Sequence, residues 1–183
     1  MDKTENTLMA EKKQMKTASS TTKVNSILSL DILNGFLIAL AAQNNHELHQ
    51  YAFHLSRFDH SGDIKNSFAC YYNLSENAKI DLRLDKCSDW QVELIDACQH
   101  WFFHDITRLR LPNIVELFLK MLHDYTGNSI QDVHLVSNYP TYDDSYWSWS
   151  DYLLECESQI LQLHLSVRKP AETQLSSSNI SDR

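Results

Sequence analysis

Residues 88–109 constrain the fold more than any other part of the chain. Their apolar members recur every three or four positions, and this spacing places them on one face of an α-helix. Ser88 is suited to cap the first turn, and Gln91 follows three residues later, as in a capping box. Because such an apolar face must be covered, the sequence predicts a body of packed helices. The face consists of Trp90, Leu94, Cys98, Trp101, Phe102, Ile106 and Leu109.

Residues that form turns are scarce in this chain. Its 183 residues include three Gly and three Pro, whereas β-sandwiches and barrels need many tight turns. Gly35, Gly62 and Gly127 stand far apart, so no glycine-rich loop is present to hold phosphate groups. The length corresponds to one ordinary domain. These observations favour a single helix-rich domain.

Four further stretches carry a helical pattern of apolar residues. In the first, Gly35 interrupts a good helix and predicts close packing by a neighbour, since a central glycine otherwise destabilises the helix. The last repeats apolar residues at alternating steps of three and four, which is the spacing of a coiled-coil seam. That seam predicts packing onto the core or, as the alternative, dimerisation through the 146–167 helix. The four stretches are 24–43, 46–58, 112–127 and 145–167.

Two short regions carry strand patterns. Apolar residues alternate along residues 66–74 and 80–84, which predicts a hairpin over 66–84 with one buried side. Residues 130–136 are apolar and β-branched and predict a third strand. Because two strands alone are marginally stable, the sheet must rest on helices. The sequence thus predicts an α+β domain in which about five helices pack on a small antiparallel sheet.

The two ends of the chain differ from the body in composition. Residues 1–23 and 168–183 are polar and lack periodicity, so both are expected to be disordered tails around a domain at 24–167. The formal net charge is −8, and the tails are slightly basic, so the body is strongly acidic. An acidic body disfavours nucleic-acid binding and suits a partner protein with a basic or apolar patch.

Cysteine usage and hydropathy indicate a cellular location. The four cysteines are scattered without a C-x-x-C pair, which is typical of free thiols in a reducing compartment. Asp31 and Asn34 interrupt the most apolar stretch, which is therefore expected to be a core helix rather than a membrane span. The sequence predicts a cytoplasmic protein with no membrane partner.

Residues 139–152 form the densest aromatic and acidic stretch. On the predicted helix, Trp147 lies on a different face from the seam, beside several carboxylates. Exposed Trp and Tyr rimmed by charge are typical anchors of protein interfaces, while the lack of Lys and Arg argues against base stacking. The alternative is that Trp147 packs under the preceding loop. The predicted partner-binding residues are Tyr142, Asp143, Asp144, Tyr146, Trp147 and Asp151.

A second candidate site lies on the polar face of the 88–109 helix. Asp96, His100 and His104 are four residues apart and share one helix face, which suits a divalent metal of the zinc type. The alternative is a solvated polar face opposite the apolar one. The segment His46-Glu47-Leu48-His49 is one residue too short for the metalloprotease motif H-E-x-x-H.

These features favour a binding protein over an enzyme. The predicted function is a small acidic protein-binding module without a cofactor, such as an adaptor, a secretion or assembly chaperone, or an immunity or inhibitor protein. The alternative is a metal-dependent hydrolase using Asp96, His100 and His104. No Ser or Cys lies in a glycine-flanked elbow, although the members of a nucleophilic triad need only meet in space.

Overall fold

The computed structural model describes residues 28–104, 112–138 and 146–168. Within these ranges five helices and a five-stranded antiparallel sheet form an α+β fold, which confirms the predicted class. The predicted tail 1–23 lies outside the described residues, as does the predicted tail at 168–183 except for Arg168, the last residue of a strand. In chain order the elements are α1 (Leu30–Asn44), β1 (Gln50–Asp59), α2 (Ile64–Tyr71), α3 (Glu76–Asp81), β2 (Arg83–Lys86), α4 (Trp90–Phe102), α5 (Pro112–Thr126), β3 (Ile130–Asn138), β4 (Tyr146–Cys156) and β5 (Gln159–Arg168).

The sheet has the strand order β1-β5-β4-β3-β2, and every neighbouring pair is antiparallel. The hairpin of β4 and β5 therefore occupies its middle, while β1 and β2 form its edges. No helix in the described residues is long and apolar enough to cross a membrane.

Three helices, α1, α4 and α5, cover one face of the sheet, called here the front face. Alternate residues of the strands point into this layer, among them Phe53 of β1 and Leu163 of β5. The predicted apolar face of α4 is buried there as far as Phe102, where the helix ends. Asp89 rather than Ser88 caps α4, because its carboxylate accepts a hydrogen bond from the Val92 N–H.

The opposite face, called here the back face, is covered in its middle by α2 and α3. Phe68 and Leu82 from this layer pack on Phe58, Leu153 and Ile160 of the sheet. Polar side chains occupy both ends of the back face, beyond the apolar middle. The candidate sites described below lie at these ends.

The edge strand β1 is closed along its outer side by α1. The side-chain amide of Asn34 accepts from the Leu55 N–H at 2.6 Å and donates to the Leu55 C=O at 2.9 Å. Asn45 accepts from the Tyr51 N–H at 2.5 Å. These amides bind backbone groups that an exposed edge would otherwise offer to a further strand.

The predicted hairpin at 66–84 is wrong, because α2 and α3 occupy most of it and only β2 is a strand. Both helices begin at good capping residues: Asp63 accepts from the Asn66 N–H and Ser75 from the Ala78 N–H. The apolar spacing that suggested alternation also fits a helix, since Phe68 and Tyr72 are four residues apart and their rings pack at 4.8 Å.

The helices predicted at 46–58 and 145–167 are also wrong. The first is the turn that carries His46 and His49, followed by β1, and the second is the β4–β5 hairpin. Both faces of β5 are buried, so its sequence lacks the alternation of a half-exposed strand. The proposed dimer seam on a 146–167 helix therefore has no structural basis. The predicted strand near 130–136 is confirmed as β3, and the predicted helix after Pro112 as α5.

All four cysteines are free thiols, as predicted. Cys87, Cys98 and Cys156 are buried and Cys70 is exposed. Burial raises the pKa of Cys87 to about 11, and its hydrogen bond with Glu93 acts in the same direction. Burial alone raises the pKa of Cys98. These two thiols therefore stay protonated and unreactive at neutral pH.

Candidate functional site

Helix α1 is apolar on its exposed side as well as on its buried side. Leu33, Leu37 and Leu40 point into the front-face core, whereas Ile32 and Ile38 remain 48% and 61% exposed. A helix that is apolar all round is normally covered all round. The exposed side also carries Ala39, Ala42 and Gly35 and has no charged residue after Asp31 at its beginning.

The packing predicted at Gly35 is not found among the described residues. A Cβ atom built on Gly35 meets no heavy atom within 4 Å. The residue is exposed, and its backbone does not adopt the left-handed conformation that favours glycine. Gly35, Ala39 and Ala42 instead form a surface of small side chains, which allows another backbone to approach closely.

A groove runs beside this helix face toward the sheet. Ile38 and Ala42 line one wall, Ala52 and His54 of β1 line the other, and the cavity between them measures about 320 Å³. This groove opens into a larger cavity of about 610 Å³ at the end of the back face. The two cavities share Asn45, Tyr51, Ala52 and His54 as lining residues.

The larger cavity is rich in nitrogen-bearing side chains, although the protein as a whole is acidic. Among the residues that the structure describes, its lining includes His46, His54, His164 and Arg168 and no carboxylate. The ring centroids of His54 and His164 lie 4.8 Å apart. Such a cavity favours a ligand group that carries negative charge.

Behind the cavity wall, His164 belongs to a buried polar network on β4 and β5. Its Nδ1 lies 2.7 Å from Oδ1 of Asp151, and its Nε2 lies 2.8 Å from Oγ of Ser166. The Ser166 hydroxyl donates to the Ala52 carbonyl at 3.3 Å. Because a carboxylate oxygen only accepts, Nδ1 of His164 donates to Asp151, and Nε2 faces the Ser166 hydroxyl.

This arrangement has the atom order of a Ser-His-Asp triad but not its function. Ser166 is fully buried, so no substrate reaches its hydroxyl, and that hydroxyl donates to a carbonyl rather than to the imidazole. Asp151 and His164 are 1% and 4% exposed. The network therefore stabilises the sheet and fixes the orientation of the His164 ring in the cavity wall.

Acid is expected to destabilise the protein partly through His54. Partial burial, followed by the charge of His164, lowers the pKa of His54, while Asp151 raises it to a lesser extent. Since the unfolded chain then binds the proton more tightly than the folded one, stability falls as the pH decreases through 6.5, the ordinary pKa of histidine, toward the lowered pKa of the folded state. His54→Gln should lose less stability over this range than the wild type, measured by urea denaturation. His100→Gln serves as the control, and an identical pH dependence in His54→Gln would contradict the expectation.

The predicted partner-binding residues are only partly visible. Tyr142, Asp143 and Asp144 lie outside the described residues, and Tyr146 and Trp147 are described only as backbone of β4. The assignment of Asp151 to an exposed surface is wrong, because its side chain is buried beside His164. As β4 is a strand, Asp151 points to the opposite face from its neighbours in sequence.

The predicted metal ligands on the central helix come together only in part, since the rings of His100 and His104 lie 5.1 Å apart while Asp96 does not join them. Asp96 and His100 are exposed on α4, but the helix ends at Phe102, so His104 is not on the same helix face. His104 instead hydrogen-bonds through Nδ1 with the Tyr51 hydroxyl at 2.8 Å. These three side chains do not form a group whose ligand atoms all lie within 4.8 Å of one another.

Such a group is present at the other end of the back face. Ligand atoms of Asp132, His134 and Glu155 all lie within 4.8 Å of one another. His60 joins them, since its Nε2 lies 2.8 Å from Oε1 of Glu155. The sequence could not reveal this group, because the four residues meet only through the pairing of β3 with β4 and the position of β1.

No protein-family model and no curated protein matches this chain. Among solved structures, the chain is similar to a crystal structure of citrus MAF1, with 11% sequence identity and a TM-score of 0.46. The alignment covers 76% of this chain and 96% of that chain.

Proposed function

We propose that this protein is a protein-binding module that receives an amphipathic helix of a partner protein on the exposed side of α1. The observation that carries the proposal is the apolar character of this side, where Ile32 and Ile38 are exposed around the open Gly35. Large apolar side chains grouped on a surface are typical of interaction sites. An amphipathic helix lying in a groove is a recurring mode of recognition.

The form of the surface favours a helical partner. The backbone of β1 is closed by the amides of Asn34 and Asn45, which disfavours addition of an extended strand. Small side chains at Gly35, Ala39 and Ala42 permit close approach of a second helix, and the adjoining groove accepts its larger side chains.

Charge selects among such partners. The acidic protein attracts a basic partner at long range, which affects the rate of association. At contact, the cavity with His164 and Arg168 fits a carboxylate carried by the partner helix beside its apolar face. The proposed partner is thus a protein with an amphipathic helix that carries an acidic residue next to its apolar stripe.

Substitution of Ile38 by aspartate tests this proposal. Burying an isoleucine side chain contributes about 1.5–3 kcal/mol, so the variant is expected to bind its partner about 10–100-fold more weakly. Partners are first captured from the native host with the wild type, and the captured protein is then purified. Its affinity is measured by isothermal titration calorimetry, and hydrogen exchange locates the protected segment.

Ile80→Asp is the matched control, since Ile80 is 73% exposed on α3 away from the groove. It should bind like the wild type. Trp147→Ala examines the aromatic stretch predicted from the sequence. Weaker binding in Trp147→Ala with unchanged binding in Ile38→Asp would overturn the α1 proposal. The proposal would also be overturned if α1 is protected from hydrogen exchange because the protein associates with itself. Light scattering would detect this as a molar mass that rises with concentration.

A further inference from the structure

We infer that Asp132, His134 and Glu155, with His60 beside Glu155 as a further nitrogen donor, form a binding site for a divalent transition ion of the zinc type. The site lies at the end of the back face opposite the His164 cavity, so it is independent of the helix-binding proposal. A set of imidazole nitrogens and carboxylate oxygens suits zinc, whereas magnesium and calcium favour sites made of oxygen ligands alone.

Two adjacent strands bring the carboxylates together. Asp132 of β3 pairs directly with Glu155 of β4 in the sheet register. Like charges directly opposite each other on neighbouring strands destabilise a sheet. The Lys86 ammonium, 2.6 Å from Oδ1 of Asp132, offsets part of this repulsion, and a divalent ion held by both carboxylates would offset more.

An irregularity in β3 directs Asp132 toward the site. The register of β3 with β4 shifts between Ile130 and Asp132. Ile130 packs against the front-face core, whereas Asp132 joins His134 on the back face. In a regular strand two residues separated by one would share a face, so the bulge turns the carboxylate to the opposite side.

His134 provides a second, independent indication. Its Nε2 is buried and has no hydrogen-bond partner, and the nearest carboxylate oxygen, Oε2 of Glu155, is 3.6 Å away. A buried ring nitrogen without a partner is unfavourable, and nearly all such groups in proteins are paired. A metal ion among these side chains would use this nitrogen as a ligand.

The remaining contacts position the ligands. His60 reaches Oε1 of Glu155 at 2.8 Å from the segment that follows β1. Lys86 of β2 lies 2.6 Å from Oδ1 of Asp132, and the second oxygen of that carboxylate is available to an ion. With bonds of about 2.1 Å, a tetrahedral ion holds its ligand atoms about 3.4 Å apart, which is close to the 3.6 Å between Nε2 of His134 and Oε2 of Glu155.

Zinc titration of tag-free, chelator-treated protein tests the site. Isothermal titration calorimetry is expected to show one zinc ion per chain, and cobalt(II) in its place should give the visible absorption of a tetrahedral complex. His134→Ala should weaken zinc binding at least about tenfold. Glu155→Gln, which keeps the shape of the side chain, should do the same while its circular dichroism spectrum stays that of the wild type.

His100→Ala is the matched control, because His100 belongs to the other candidate set, on α4. It should bind zinc like the wild type. Absence of stoichiometric zinc binding by the wild type would overturn the inference. The inference would also be overturned if His134→Ala and Glu155→Gln both still bind zinc, or if His100→Ala loses zinc binding. None of these measurements involves a partner protein, so a negative result for zinc binding would not bear on the helix-binding proposal.

Discussion

Replacement of Asp151 by alanine is expected to lower the free energy of unfolding by about 3–5 kcal/mol. Asp151 is 1% exposed, and its carboxylate accepts from Nδ1 of His164, which is 4% exposed. Without the carboxylate, the polar ring of His164 stays buried between the strands with its Nδ1 partner removed. Urea denaturation followed by circular dichroism at neutral pH measures the loss.

A double variant separates the cost of an unpaired polar group from the cost of lost packing. Asp151→Val combined with His164→Leu removes both polar groups, so it is expected to lose less stability than Asp151→Ala alone. Asp96→Ala is the control for an exposed carboxylate and should change stability by no more than about 0.5 kcal/mol. If Asp151→Ala behaves like this control, the two side chains do not form a buried pair.

Phe102→Ala is expected to be about as destabilising, by about 3–5 kcal/mol. The Phe102 side chain lies where α4, α5 and β1 meet, and it is 1% exposed. Its ring centroid is 5.7 Å from that of Phe53 and 5.5 Å from that of Phe118. Alanine leaves a cavity at this junction, and thermal or urea denaturation reports the loss.

Val92→Ala on the same helix is the matched control, because Val92 is 50% exposed. Its effect on the free energy of unfolding should stay within about 0.5 kcal/mol. An equal effect of the two substitutions would show that α4 does not pack on the front face through Phe102.

The sequence predicts those elements that are long and buried on one side. The helices α4 and α5 have a wide apolar stripe and a polar opposite face, so their period of 3.6 residues is visible in the sequence. In β5, by contrast, Leu161, Leu163 and Leu165 face the front while Ile160 and His164 face the back, and all are buried. A strand buried on both sides lacks the alternation of polar and apolar residues that would distinguish it from a helix.

The error at β1 has a different cause. Leu48, Tyr51, Leu55 and Phe58 are spaced like one helix face, yet Tyr51, Phe53 and Leu55 also alternate as in a strand. Both patterns are present in the same residues, and the tertiary context decides between them. Here α1 and β5 flank the segment on either side, and their contacts favour the extended form.

The candidate sites depend on strand register, which the sequence does not specify. Asp151 meets His164 because they face each other across the β4–β5 pair, and Asp132 meets Glu155 in the same way across β3 and β4. Because the sequence predicts a helix where β4 and β5 lie, neither pair follows from it. The sequence predicts α1 as an apolar helix, but only the structure shows which of its residues the core leaves uncovered.

The amides of Asn34 and Asn45 have a consequence for the solubility of this chain. A ten-residue edge strand offers free backbone groups to any unfolded or neighbouring chain, and pairing there begins the growth of fibrous aggregates. Two short side chains from the adjacent helix and turn block this route, while the opposite edge, β2, has only four residues. The molecule can thus expose the apolar side of α1, the proposed binding surface, while the edges of its sheet resist pairing with other chains.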